Sequence, residues 1–482
     1  MKRSQEIEQD FGYQYLQYIE EIIEEYLFSI EKLNPNYLIL NGMPIREMLG
    51  KRIFNKPLHD KNLRDLFNGY WRQGRIVDEL KERFYYKTFQ DFLFDESEFL
   101  AVPSDNSGKL EYKNIFKSFE NELSPFKGNI VFYAYNKRFL DQVLPILLKL
   151  GEDIVVLTSY EFQESHTYPK SINIIEFSAL KIEQDINEFL KLKFPILYYL
   201  YNTLELLIGI LKPKSIIIME GSSIIAYEML ALIGTKNNIK SICLQHGWPC
   251  VIHTGFRKMP FDYFLSWGDN FTALFKLVNP KPNFISTGYP FEVSYKNNIK
   301  KNSISFFFQA PYFISTTPII EKMIDFAAFC ANSFPDLDIL IREHPANQYR
   351  NNKIDELKHF SNIKFVPSYI ISLDAVLAKS IVSVAIFSST LMESILYNSI
   401  PFIFNLTSMP NYYPNLQELD LGVEIKTFEE AKIRIKELLE SETKIEDLRK
   451  NMSNCKSEYF LSTGNKAIET TANEILKISN RL

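Results

Sequence analysis

The fold is decided by residues 215–249. Here Ser215-Ile216-Ile217-Ile218-Met219-Glu220 leads into a helical pattern over Ser223–Ile233. Then Lys240-Ser241-Ile242-Cys243-Leu244 runs into Gln245-His246-Gly247-Trp248-Pro249. A short apolar run, a helix and a second apolar run read as a βαβ unit with its strands in one parallel sheet. Upstream, Asn129–Tyr133 and Asp153–Thr158 read as strands on either side of a helix at Lys137–Leu150. Downstream, Asp262–Ser266 and Asn283–Ser286 add two short strands. After Gly288-Tyr289-Pro290, a segment rich in Asn and Lys (Ser294–Ser303) suits an interdomain linker. The alternation then resumes with strands at Ile304–Phe308, Asp338–Ile341, Ile363–Val366, Val382–Phe387 and Pro401–Phe404. A helix at Phe428–Glu440 and a helical tail at Lys444–Ile478 complete it. The expected class is α/β, with two Rossmann-like domains facing a cleft.

The chain has 482 residues, 46% of them hydrophobic, enough for two or three domains. A formal net charge of −5 gives no electrostatic reason to expect nucleic acid as a partner. Cys243, Cys250, Cys330 and Cys455 are far from any CxxC spacing, and Cys243 and Cys330 sit in apolar runs. They read as reduced thiols without metal or disulfide. Met1–Asp10 is polar and charged, so no secretory leader is expected. The longest apolar stretch, Phe194–Leu211, is interrupted by Asn202, Thr203 and Glu205. A membrane span needs about 20 largely apolar residues, so this stretch reads as a buried helix and the chain as cytoplasmic. At the start, Phe11, Tyr15, Ile19, Ile22, Ile23, Tyr26, Leu27 and Ile30 recur at helical spacing opposite glutamates. A basic stretch over Lys51–Arg75, with Phe67, Tyr70 and Trp71, reads first as a solvated helical face. Its alternative is a surface for an anionic acceptor or a membrane.

Three motifs follow strand-like runs, at the sheet edge where open α/β folds bind ligands. His246 follows Ser241–Leu244, and Gly247 lets the chain turn tightly beside it. An imidazole there can accept a proton near neutral pH; its bland alternative is to cap the strand by hydrogen bonding. His344-Pro345 follows Asp338–Ile341. Proline keeps His344 extended, and with Arg342 it can donate hydrogen bonds to a departing phosphate; otherwise it is a satisfied loop histidine. Ser388-Ser389-Thr390 opens a helix through Met392, Ile395 and Leu396. Its free N–H groups and hydroxyls suit an anion, although Ser and Thr are also ordinary N-caps. Glu393 either completes a capping box with Thr390 or reaches a ribose. Glu220, at the end of strand Ser215–Met219, lines the acceptor side or precedes a helix cap at Ser222 or Ser223. Gln245, Gly247 and His253 are further acceptor-side candidates, and Arg257, like His253, follows the first motif where it would border the cleft. Asp336-Leu337-Asp338 precedes its strand instead of following it, so it is assigned to a turn and not to a metal.

Over residues 216–404 these motifs resemble those of bacterial surface-polysaccharide transferases. CDP-glycerol glycerophosphotransferases carry His-Gly-Thr-Pro where this chain has His246-Gly247-Trp248-Pro249. Polysialyltransferases and Kdo transferases carry His-Pro and Ser-Ser motifs matched by His344-Pro345 and Ser388-Ser389, and polysialyltransferases carry an acidic base where His246 stands. The resemblance implies a metal-independent, cofactor-free glycosyltransferase of the GT-B fold that uses a CMP- or CDP-linked donor. His246 would be the general base. The resemblance has His344, Ser388, Ser389 and Thr390 hold the cytidine phosphate. Read from the residues themselves, His344 would also stabilise or protonate the leaving phosphate with Arg342 assisting, Glu393 would contact the ribose, and Pro345 would border the nucleotide. The expected divisions are a mainly helical extension over 1–125, an acceptor domain over 126–293, and a nucleotide-donor domain with its tail over 303–482. The expected partners are a nucleotide-activated sugar and a glycan or glycolipid acceptor, with peripheral association at the inner face of the cytoplasmic membrane as a second expectation. Two rival readings are a nucleotide-sugar 2-epimerase of the same fold and a non-catalytic scaffold in polysaccharide assembly.

Overall fold

A computed structural model describes residues 11–33, 35–40, 42–51, 120–121, 123–158, 168–176, 195–221, 224–247, 256–293, 301–309, 317–344, 352–386, 388–405, 416–417 and 419–480. A two-residue hairpin, β1 (Ile39–Leu40) with β2 (Met43–Pro44), precedes the main body. The first large sheet contains β3 (Ile130–Ala134), β4 (Ile154–Thr158), β5 (Ile172–Glu176), β6 (Ser215–Met219), β7 (Lys240–Leu244), β8 (Tyr263–Ser266) and β9 (Asn283–Ser286). Its order is β5-β4-β3-β6-β7-β8-β9, and every pairing is parallel. The second contains β10 (Ser303–Phe308), β11 (Asp338–Glu343), β12 (Ile363–Phe365), β13 (Ser380–Ala385), β14 (Ile400–Phe404) and β15 (Val423–Ile425). Its order is β12-β11-β10-β13-β14-β15, again all parallel. Each order reverses direction once, between β3 and β6 and between β10 and β13. Such a switch point leaves a crevice at the carboxyl ends of the strands.

Both sheets are covered on two faces, so their strands are continuous apolar runs: every residue of β3, β4, β6 and β10 is buried. Along β3, Ile130, Phe132 and Ala134 face one layer, while Val131 and Tyr133 face the other. Helix α1 (Phe11–Leu33) buries Ile19, Ile22, Ile23, Tyr26, Leu27 and Ile30, as its periodicity requires. Its acidic side is also engaged. Glu24 accepts from Arg46 Nη1 at 2.5 Å and Lys258 Nζ at 2.8 Å, and Glu20 pairs with Arg257. Arg257, read from sequence as a neighbour of the cleft, is buried in this ion pair instead. Lys51 is likewise no solvated side chain: it is buried 3.2 Å from Glu228. The rest of the basic stretch lies outside the described residues. The apolar run near 194–211 is the helix Pro195–Leu211, and no helix among the described residues is long and apolar enough to cross a membrane.

The tail returns to the first sheet. Helix α2 (Lys137–Lys149) follows β3, and helix α3 (Ser389–Leu396) follows β13. The tail consists of α4 (Glu442–Tyr459) and α5 (Asn465–Ser479). Helix α5 packs against α2, placing Ile468, Ala472, Ile475 and Ile478 in the core formed by β3, β4, β6 and β7. At the return, Leu461 N–H donates to the Trp267 carbonyl at 2.9 Å and Tyr289 N–H to that of Ser462 at 2.7 Å. Trp267, Phe271, Tyr289, Tyr459 and Phe460 pack ring against ring along this seam. At Gly268 and Gly288 the returning chain comes closer than any side chain would permit.

Candidate functional site

A cavity of about 320 Å³ opens between the two switch points. The second domain supplies Phe307, Phe308, Arg342, His344, Ser388, Ser389, Thr390 and Glu393, and the first supplies Arg138, Gln142, His246 and Tyr289. Three motifs far apart in the sequence therefore share one space, because β7, β11 and β13 all end towards the cleft.

His246 stands immediately beyond β7, its ring 4.8 Å from the Phe139 ring at an interplanar angle of 67°. Gly247 faces the opposite wall: a Cβ added there would lie 3.8 Å from the Ser389 Cβ. This brings the first and third motifs into apposition. Gln245 does not line the cavity. Its buried side-chain amide is taken up by the backbone, accepting from Trp267 N–H at 2.8 Å and donating to the Gly247 carbonyl at 3.0 Å. It fixes the His246-Gly247 turn instead of meeting an acceptor. Glu220 is also outside the cavity wall, at a left-handed φ of 85° followed by Gly221 at 90°. His253 and Pro345 lie outside the described residues.

On the opposite wall, Ser388 is the N-cap of α3, its Oγ accepting from Thr390 N–H at 3.2 Å. The capping role is thus real, and the same helix end lines the cavity. Because the helix begins at Ser388, Glu393 is too far along it to close a capping box with Thr390. Its carboxylate accepts from the Tyr289 hydroxyl at 2.9 Å and is also hydrogen-bonded by the Thr390 side chain. Burial pushes the Glu393 carboxyl up, while Tyr289, the Arg138 charge and Thr390 pull it back down. Arg342 Nη1 donates to the Ile371 carbonyl at 2.5 Å, so part of its guanidinium braces the turn that leads into the helix Leu373–Lys379. Burial and then the nearby Arg138 charge pull His344 from 6.5 to about 4. Both effects disfavour the charged imidazole in the ligand-free protein, where it serves as a hydrogen-bond donor or acceptor. Asp338, of the Asp336-Leu337-Asp338 sequence, pairs with Lys364 Nζ at 2.7 Å away from the cavity.

The pKa of His344 sets a testable pH dependence. As pH falls below 6.5 the unfolded chain takes up this proton before the folded chain does, so stability is retained above 6.5 and lost towards 4. His344→Gln is expected to shrink the fall in Tm across that window. Parallel Tm curves for the variant and the parent would assign the acid sensitivity to another group.

Sequence reasoning missed Arg138, Gln142 and Tyr289. Arg138 had a signal: Lys137-Arg138 places two cations in the first turn of α2, the end where the helix dipole disfavours them. Tyr289 had none beyond its place in a Gly-Tyr-Pro turn. Its role depends on a partner 104 residues away.

Two Rossmann-like domains with a shared cleft define the GT-B fold class. Two solved structures superpose with a TM-score of 0.50 or above and share this fold. A UDP-N-acetylglucosamine 2-epimerase from Listeria monocytogenes, described as putative, superposes with a TM-score of 0.51 at 13% identity, over 73% of this chain and 95% of that one. Another UDP-N-acetylglucosamine 2-epimerase gives 0.50 at 14% identity over the same shares. The wall teichoic acid polymerase TagF gives 0.49 at 13% identity, over 80% of this chain and 98% of that one. No protein-family profile matches the sequence, and no curated protein does.

Proposed function

We propose that this chain is a GT-B glycosyltransferase that moves a sugar, or a sugar-like group, from a CMP- or CDP-linked donor to a hydroxyl of a bacterial surface glycan. The observation that carries this reading is the opposition of two chemically different walls. The first domain offers an imidazole at a strand end, and the second offers a helix N-terminus, three hydroxyl side chains, a histidine and an arginine. His246 removes the proton of the attacking hydroxyl. The N–H groups of α3, with Ser388, Ser389 and Thr390, bind the leaving phosphate. His344 donates a hydrogen bond to it, Arg342 supplies charge, and Glu393 accepts from the ribose. Charge developing on the leaving oxygen is stabilised by donors already fixed in place, which is where such sites gain most of their rate.

A 2-epimerase is the second reading, favoured by the two superposing structures of that activity. It needs no acceptor, so incubation with UDP-N-acetylglucosamine alone separates the two: only an epimerase converts the sugar. The donor reading is tested by thermal shift against CMP, CDP, UDP and GDP, because a ligand of the native state raises apparent stability. Cytidine nucleotides are expected to raise Tm, and a response to UDP alone would remove the cytidine assignment.

A further inference from the structure

We infer that Tyr289 is a positioning residue for nucleotide recognition: its hydroxyl, from the first domain, fixes the Glu393 carboxylate of the second in the orientation that meets the ribose. The inference rests on the reading of Glu393 as the ribose contact and deepens it. Tyr289 is 5% exposed and Glu393 8%, and the hydroxyl-to-Oε1 distance is 2.9 Å. The tyrosine cannot easily swing away. Its ring is held edge-on by Trp267 at 4.9 Å, Phe291 at 4.9 Å and Phe460 at 5.5 Å. Its backbone is tied to the returning tail, donating to the Ser462 carbonyl at 2.7 Å and accepting from Gly464 N–H at 3.0 Å. Tyr289 therefore sits on both chain crossings at once, the forward one after β9 and the return between α4 and α5.

The chemistry gives this bond a specific consequence. A carboxylate that accepts from ribose hydroxyls must be ionised, and an apolar burial site opposes ionisation. The groups near Glu393 are Tyr289 after β9, Arg138 on α2, Thr390 on its own helix and Tyr397 with Asp374. Among these, Tyr289, Arg138 and Thr390 favour the carboxylate, and the first two belong to the other domain. Tyr289 engages Oε1, and the Thr390 side chain adds a second hydrogen bond to the same carboxyl group. The second domain thus carries the ribose contact, but the first keeps it charged and aimed.

The test is Tyr289→Phe, which keeps the ring and removes one oxygen. Affinity for CMP, with UDP as the second probe, is measured by calorimetry across acid to neutral pH, and Tm is measured alongside. In the parent, affinity falls on the acid side as Glu393 takes up a proton. In Tyr289→Phe that limb is expected to move to higher pH by about one unit. Glu393→Gln is expected to flatten the limb and to make the Tyr289 substitution silent. Superimposable profiles for Tyr289→Phe and the parent would overturn the inference, as would a displaced limb that persists in the Glu393→Gln background. If the parent binds neither CMP nor UDP, the functional reading beneath it fails first, and the two failures are told apart by the parent alone.

Discussion

Replacing His246 with alanine is expected to lower transfer by about 10²–10⁴-fold, the range that a positioned general base contributes. Nucleotide affinity should be unchanged. The separation follows from the architecture. His246 belongs to the first domain, whereas Ser388, Ser389, Thr390 and His344, the groups proposed to hold the phosphate, belong to the second. Removing the imidazole deprives the attacking hydroxyl of its proton acceptor and leaves the nucleotide's own contacts in place. The ring also packs edge-on against Phe139, so alanine opens a small gap there. His246→Gln is therefore the better comparison for packing, since it fills part of that gap yet cannot act as a base near neutral pH. Both variants should be inactive and should bind the nucleotide. Turnover near the parent's in either would remove His246 from the mechanism and return it to strand capping.

The second large effect concerns stability. A Cβ at Gly268 would lie 2.4 Å from both the carbonyl carbon and the oxygen of Tyr459, and 2.6 Å from the Glu458 oxygen. The backbone of Gly268 is extended, with φ at −170°, so any residue could adopt it and the cost comes wholly from contact. The obstructing atoms are main chain at the end of α4, which cannot rotate aside as a side chain could. Gly268→Ala should therefore push the tail off the Trp267–Phe271–Phe460 seam and cost about 3 kcal/mol. Gly288→Ala should act at the same seam with a second penalty, because φ is +104° there and Ser462 Oγ lies 2.4 Å from the added carbon. Urea denaturation reads both, and limited proteolysis reports whether cleavage begins near 460–464. Midpoints equal to the parent's would mean that the tail accommodates the methyl group by sliding.

The sheets were legible because buried parallel strands are written as unbroken apolar runs, and Ile216–Met219 or Ile304–Phe308 can hardly be read otherwise. Two edge strands were not. In β5, Ile172–Glu176 is only partly buried, and β15 has three residues, so neither accumulates a pattern. The tail read as one helical run over Lys444–Ile478, but it breaks at Phe460-Leu461-Ser462-Thr463-Gly464, where Gly464 has φ of +58°. That glycine was a visible breaker. Its destination on the first sheet was not visible, since no local spacing encodes a partner more than 300 residues away. The cavity divides in the same manner. Residues announced by a strand end, such as His246, His344 and Ser388, could be proposed from sequence. Residues that matter through distant contact, such as Tyr289 and Arg138, could not.

The docking of α5 has a consequence for how the chain comes into being. Ile468, Ala472, Ile475 and Ile478 complete a core whose other members begin at Ile130. During synthesis, which proceeds at about 5–20 residues per second, the first sheet emerges early with one apolar face covered only in part, by α2. The second sheet, in contrast, already has its own strands and helices in hand before α5 is made. The domain that starts first must therefore finish last, and for most of the chain's time on the ribosome its exposed face is available to a chaperone.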